Sequence, residues 1–449
     1  MRSNAAPQAR ALVSTLTLAT FLNHLNVIAW NPFLPFIAEA HAVTIALLGQ
    51  VPALMMLVST FLGLVIGPLA DRYGYRRTLL VCLLAVAAGS VATGLAPALG
   101  VLVLAALLGA IGRAAIMPVS QAIVAASFVD DARRRRAVSR IQSGGPLAAT
   151  LGIPVLTAIA AALDWRGAFI ALSGLALAVT LTLWKTLCRD EAAGTGEIGL
   201  KCMFTAYRPI IRHRSSLILI VAACLENAGV NAMWTYYGAF YVQQYAFSTE
   251  QVGWVSLAAG LGVLIGQTAG AGWLGGNPRL LFIMGCAGSG LLIGLSLMLP
   301  LPSAAAITLM AAGWVMHGLL MVSAVVLLVD QSPGGRATTL TFYGSAASFG
   351  MSLGAALGGL ALAGYGYFAL GMCTVALAVG GGNPRLVPLP RAKDGDREPD
   401  QQSRRLIGYR PAAPISGCIS MRSNRRSSTR RKRSIPIVIP ACPAAGCAR

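Results

Sequence analysis

The chain has 449 residues, of which 56% are hydrophobic and only 11% charged, with a mean hydropathy of +0.69. A soluble domain carries about 25% charged residues, so this composition excludes a water-facing surface for most of the chain and points to lipid as its solvent. The formal net charge is +20, but residues 383–449 hold 15 Lys or Arg against four acids, so most of the surplus belongs to that one tail.

Twelve apolar runs follow in chain order, most of them near the 20 residues that a spanning helix needs. They cover 12–37, 45–66, 79–96, 99–123, 138–162, 167–187, 216–243, 251–273, 280–299, 303–329, 339–363 and the shorter 365–381. The first run is too long for a secretion signal, and no small-residue cleavage site follows it. Only helices and closed barrels satisfy their backbone hydrogen bonds in hydrocarbon, and runs of this length are helical. Nine cysteines are scattered without any C-x-x-C pair, so neither a disulfide framework nor a metal site is implied. No G-x-x-x-x-G-K-[ST] run is present to power an ATPase.

Basic residues mark alternate loops. Arg72, Arg76 and Arg77 lie in one, Arg133 to Arg136 and Arg140 in another, and Lys185 to Arg214 in a third. Arg279 and Arg336 continue the series, while the intervening loops are almost free of Lys and Arg. The positive-inside rule then predicts a multi-pass protein of the cytoplasmic membrane with both termini in the cytoplasm. The tail from 383 is rich in Pro, Ser and Arg and reads as disordered. Anionic lipid or nucleic acid would suit its charge. A functionless extension is the favoured reading, so no nucleic-acid partner is expected.

The two halves repeat. His24 and Glu226, Arg134 and Arg336, and Gly152 and Gly354 are each 202 residues apart. The expected organisation is a six-helix bundle over 1–187, a cytoplasmic linker over 188–215, a second six-helix bundle over 216–382, and the tail 383–449. Parallel six-helix halves place a binding site between them near mid-membrane.

The most specific motif is Gly67-Pro-Leu-Ala-Asp71-Arg72-Tyr-Gly74-Tyr-Arg76-Arg77, between the second and third runs. It resembles the signature G-x-L-a-D-r-x-G-r-r loop of the major facilitator superfamily. The second-half counterpart keeps Gly270, Gly272 and Arg279 but has Leu274 in place of the acid. Gly152-Ile-Pro154 is similar to the G-v-P element of the drug and sugar efflux branch, and Asp164-Trp165-Arg166-Gly-Ala-Phe169 to its outer-loop g-W-R-x-x-F. The resemblance covers about residues 12–380. It implies an all-α fold of twelve transmembrane helices in two parallel halves. It also implies gating by Gly67, Asp71, Arg72, Gly74, Arg76, Gly152 and Pro154. One position departs: the fourth helix has Ala105 where proton-coupled members carry an arginine, with Arg113 two turns further on.

Ionisable residues at mid-membrane are costly and mark pathways. Four fall there: His24, Arg113, Glu226 and His317, on the helices that line the central cavity in the superfamily. With Asn26 and Asn231 they form the candidate substrate and proton site. Glu226 is the candidate proton-titrating or cation-recognising carboxylate. The bland alternative is a structural Glu226–Arg113 pair locking the halves together. The asparagines have a bland alternative too, as hydrogen-bond links between helices. The expected activity is secondary transport of a small organic solute by a monomer in contact with membrane lipids. Proton-coupled efflux is favoured. Metabolite uptake is the alternative, and a non-transporting receptor or scaffold is the reading from another class. No enzyme activity, cofactor or metal is expected.

Overall fold

The computed structural model describes residues 5–128, 130–187, 207–273, 277–330 and 336–383, and every regular element among them is a helix. The basic tail beyond residue 383 and the linker residues 188–206 lie outside the described residues. Among the described residues ten helices are long and apolar enough to cross a membrane. Two of them contain a chain reversal, which gives twelve crossings. The first half holds α1 (Ala5–Ile28, continuing as Trp30–Ala40), α2 (Ile45–Leu48, continuing as Gln50–Tyr73), α3 (Tyr75–Leu95), α4 (Leu99–Ser127), α5 (144–163) and α6 (165–186). The second holds α7 (Arg214–Tyr245), α8 (Thr249–Trp273), α9 (Pro278–Met298), α10 (Ser303–Asp330), α11 (336–365) and α12 (367–381). A polar helix, Asp131–Gln142, leads into α5. In α1 the helical pattern is interrupted at Ala29. Pro32 has no N–H to give to the carbonyl four residues earlier.

The reversals sit at Asp164 (φ 71°, ψ 166°) and Gly366 (φ 73°, ψ −163°), which are 202 residues apart. Glycine adopts this backbone freely, whereas a side chain is strained there. At Asp164 the carboxylate Oδ1 accepts the Trp165 N–H at 2.6 Å, which helps to hold the turn. Side-chain pairings prove that the chain doubles back. Gly94 at the end of α3 packs on Arg166 and Phe169, Ser173 donates to Ala87 O at 2.8 Å, and Arg76 at the start of α3 donates to Trp184 O at 2.7 Å. In the second half Tyr367 donates to Gln243 at 2.6 Å, while Gly229 and Gly381 of α7 and α12 pack near Ala378 and Glu226 respectively.

The outer faces are apolar: Val81, Leu104, Trp184, Trp254 and Leu360 are exposed, as lipid contact requires. The halves meet toward the face opposite the termini. All four cross-half hydrogen bonds among the described side chains lie from mid-membrane toward that face. Ser352 donates to Ala53 O at 2.7 Å, Gln50 to Ala356 O at 3.4 Å, Ser256 to Ala149 O at 3.1 Å, and the Asn231 amide approaches Met56 Sδ at 3.8 Å. One apolar core runs through this region across both halves. A second, separate core belongs to the second half alone, on the terminus-bearing side. Ile210 and Tyr207 pack there, so the last part of the predicted linker is attached to the second half.

Candidate functional site

The pair of Glu226 with Arg113, the bland alternative, is not formed among the described residues. Glu226 is fully buried, and its Oε1 lies 2.8 Å from His317 Nδ1 on α10 and accepts the Ser289 hydroxyl of α9 at 3.1 Å. Cys286 and Tyr343 are close enough to feel the carboxylate's charge. The second carboxylate oxygen, Oε2, is buried without a hydrogen-bond partner. A carboxylate held in apolar surroundings needs such partners, because an isolated buried charge costs several kcal/mol. His317 is positioned in turn by Trp314, whose ring meets it edge-on with centroids 5.3 Å apart. Trp314 then meets Trp234, and Trp234 stacks on Tyr237, each pair with centroids 4.7 Å apart. These tryptophans therefore serve as packing around the pair, in agreement with their burial.

The equivalent helices of the first half carry His24 on α1 and Arg113 on α4. His24 Nδ1 donates to Thr20 O at 2.9 Å, which leaves Nε2 for another partner, and the ring packs on Gly145. The Arg113 charge reaches this ring. Among the described residues Arg113 has no ion pair or hydrogen bond, and its Nε is enclosed without a partner. Its direction follows from the helix. Gly112 packs on α3, Gly109 on Asn26 of α1, and Ala110 O accepts from Ser59 of α2. At about 100° per residue, Arg113 projects between the α1 and α2 directions and opposite the lipid-exposed Leu104, Leu108 and Ile111.

The asparagines behave as links between helices. Asn231 donates to Met351 O at 2.7 Å on α11, and Asn26 donates to Ser90 at 3.2 Å on α3. Asn26 and Asn23 each keep a buried, unpartnered Oδ1. The Gly67 and Asp71 side chains lie outside the described ones, as does Leu274. Their neighbour Gly74 has φ 92°, the left-handed region that glycine relieves, and it ends α2. Arg72 is exposed and lies 5.6 Å over the Tyr73 ring. The Arg76 bond to Trp184 O satisfies a carbonyl in the last turn of α6, where a cation also suits the helix dipole. Asp130 pairs with Arg133 at 3.5 Å in an exposed i,i+3 contact.

Pro154 explains the local form of α5. Lacking an N–H, it cannot continue the ladder, and residues Ala148–Gly152 widen into a single π-helical turn. Gly152 lies in that turn against Leu25 and Phe21 of α1. On the far face Arg166 stacks over Trp165 at 4.3 Å and pairs with Asp164 at 3.5 Å, while Phe169 meets Trp30 edge-on at 5.3 Å. The W-R-x-x-F run thus caps the outer ends of α1 and α6.

Ser289 escaped the sequence reading because a serine in an apolar run is unremarkable there. The His317–Glu226 partnership had one available signal, the repeat itself. If α1 and α4 bring His24 near Arg113, then α7 and α10 bring Glu226 near His317.

The family model for the Major Facilitator Superfamily matches residues 16–275 and 219–427. The chain belongs to this superfamily. The match runs past residue 380, where the motif resemblance stopped. The chain is 29% identical over 334 residues to the inner membrane transport protein YdhP of Escherichia coli (strain K12), covering 71% of this chain and 82% of that one. It is 31% identical over 196 residues to a lincomycin resistance protein of Streptomyces lincolnensis, covering 42% and 40%. Among solved structures it is similar in fold to the nucleoside transporter NupG (TM-score 0.68, 12% identity, 83% and 98% covered). It is similar also to a bacterial homologue of the lysosomal transporter Spinster in an inward-facing, unoccupied conformation (TM-score 0.66, 16% identity, 85% and 94% covered). The chain is therefore a multi-pass membrane transporter of small molecules.

Proposed function

We propose that the protein exports a small organic solute from the cytoplasm by alternating access, as a monomer of the inner membrane with both termini cytoplasmic, in exchange for protons. The observation that carries this reading is Glu226. It is a fully buried carboxylate at mid-membrane with one oxygen committed to His317 and Ser289 and the other unpartnered. A proton taken up at Oε2 neutralises the carboxylate, and one shared between Oε1 and His317 stays within the existing contact. The bundles 1–187 and 216–382 rock about the linker 188–215, with the Asp71 loop and the Gly152–Pro154 turn of α5 as gating elements. The cross-half bonds toward the far face leave loading to the terminus-bearing side, which the positive-inside asymmetry assigns to the cytoplasm. Export also agrees with the resistance proteins among the relatives. Uptake is the second reading, favoured by Ala105 standing where proton-coupled members carry arginine.

The test has two stages. A compound panel is scored for accumulation in cells with and without the protein, where export lowers accumulation and a rise overturns the direction. The responding compound is then followed in proteoliposomes with an imposed pH gradient. Glu226→Gln is expected to lose at least ten-fold of the gradient-driven flux while keeping solute exchange without a gradient. Undiminished gradient-driven flux removes Glu226 from coupling.

A further inference from the structure

The two buried ionisable pairs differ in what they leave unanswered. Glu226 and His317 answer each other. Arg113 has no counter-charge, and its neighbour His24 is another basic group with Nε2 unused. A guanidinium stays charged at any physiological pH. Half-buried on the inward side of α4, it is costly unless an anion or water meets it.

The surroundings define where that anion sits. Gly109 packs on Asn26, and α1 and α4 run in opposite directions. Arg113 is one turn from Gly109 toward the terminus-bearing side, and Asn23 is about one turn from Asn26 in the same direction. Arg113, His24 and Asn23 therefore occupy one level, on the side of α4 opposite its lipid face. Asn23 adds a buried Oδ1 without a partner, an acceptor that asks for a donor. No acidic residue of α1, α2 or α4 lies at this level, and the only buried carboxylate among the described residues, Glu226, is bound within the other half.

We infer that Arg113 forms the anchor for an anionic group of the transported solute, so that the substrate class is an organic anion, with Asn23 Oδ1 and His24 Nε2 receiving hydroxyl or amine hydrogens of the same molecule. This deepens the transport reading and rests on it. The anion takes a forked pair of bonds from the Arg113 guanidinium, and His24, whose Nδ1–H is given to Thr20 O, offers Nε2 as an acceptor beside it. The Glu226–His317 pair in the opposite half is left free for the proton. Anchor and proton site thus lie on different halves.

The experiment measures binding without transport. Detergent-purified full-length protein is melted in the presence of matched probes: 4-hydroxybenzoate against 4-hydroxybenzamide and 4-hydroxybenzylamine, and octanoate against octanamide. The expected result is a concentration-dependent rise in melting temperature from a carboxylate and not from its amide or amine. Arg113→Gln is expected to abolish this preference, Arg113→Lys to keep part of it, and His24→Asn to weaken it several-fold. Melting of each variant without probe reports folding separately. Glu226→Gln is expected to keep the carboxylate shift while losing gradient-driven flux, so failure of coupling and failure of the anchor are told apart. A shift that persists in Arg113→Gln, a preference for the amine or amide, or no carboxylate-specific shift in either pair overturns the inference.

Discussion

In the first half, α1 and α4 bring together His24 and Arg113, two basic groups with no acid between them. In the second, α7 and α10 bring together Glu226 and His317, which close a 2.8 Å bond and recruit Ser289. The backbone plan is the same, down to chain reversals 202 residues apart. What differs is which half completes its own electrostatics. A repeat that began as two copies can keep its packing and still divide the work, because a single acid-for-base exchange at one position changes a self-contained pair into an open one.

The largest expected effect tests the shared packing. Gly354 and Gly152 are repeat-related, but a side chain at Gly354 meets the Ala228 carbonyl, which is backbone and cannot yield. At Gly152 it meets the ends of Leu25 at 2.7 Å and Phe21 at 3.0 Å, which can rotate away. Gly354→Val is therefore expected to cost about 3 kcal/mol or to prevent folding, and Gly152→Val to cost about 1 kcal/mol. Thermal melting and yield of monodisperse protein check the order, and equal losses break the comparison.

A middle effect comes from converting one half into the likeness of the other. His24→Glu places an acid beside Arg113, as Glu226 stands beside His317. The resting melting temperature is expected to hold or rise, and the carboxylate-specific shift to disappear. A variant that still prefers the carboxylate over its amide shows that the open pair is not what the solute meets.

The smallest effect concerns the far face alone. His41, near the cap formed by Trp165 and Arg166, has a pKa held below the ordinary histidine value by burial first and by the Arg166 charge second. The unfolded chain therefore takes the proton first as pH falls. His41 costs stability below the ordinary histidine range and nothing above it. His41→Gln is expected to flatten slightly the fall in melting temperature between about pH 7.5 and pH 5. The second half has no histidine at the matching reversal, so a steeper slope in the variant breaks the assignment.

The sequence carried the membrane crossings closely. The run 251–273 became α8 at Thr249–Trp273, and 303–329 became α10 at Ser303–Asp330. Hydropathy suffices there because lipid must be met by apolar side chains along the whole crossing. The same rule hid the site. When both the lipid face and the packed face of a helix are apolar, periodicity does not say which way a residue points. Glu226 was thus as compatible with Arg113 as with His317. Gly152 and Pro154 signalled a disturbance in α5 but not that it takes the form of a wide turn. Asn231, a candidate ligand whose alternative was a link between helices, donates to Met351 O and so ties α7 to α11.

The reversals at Asp164 and Gly366 have a mechanical consequence. With one residue of turn and no loop, α5 and α6 are hinged at a point, as are α11 and α12. Helix α5 touches the second half through Ala149 and Ser256, and α11 touches the first through Ser352 and Ala53. Any sliding at those two contacts is passed at once to α6 and α12, because no slack exists to absorb it. In each hairpin the second helix returns from the turn toward the terminus-bearing face. Arg76 is fastened to the far end of one of them. Through α6 and Arg76 the turn at Asp164 is thus connected to the loop between α2 and α3, at the opposite end of the bundle.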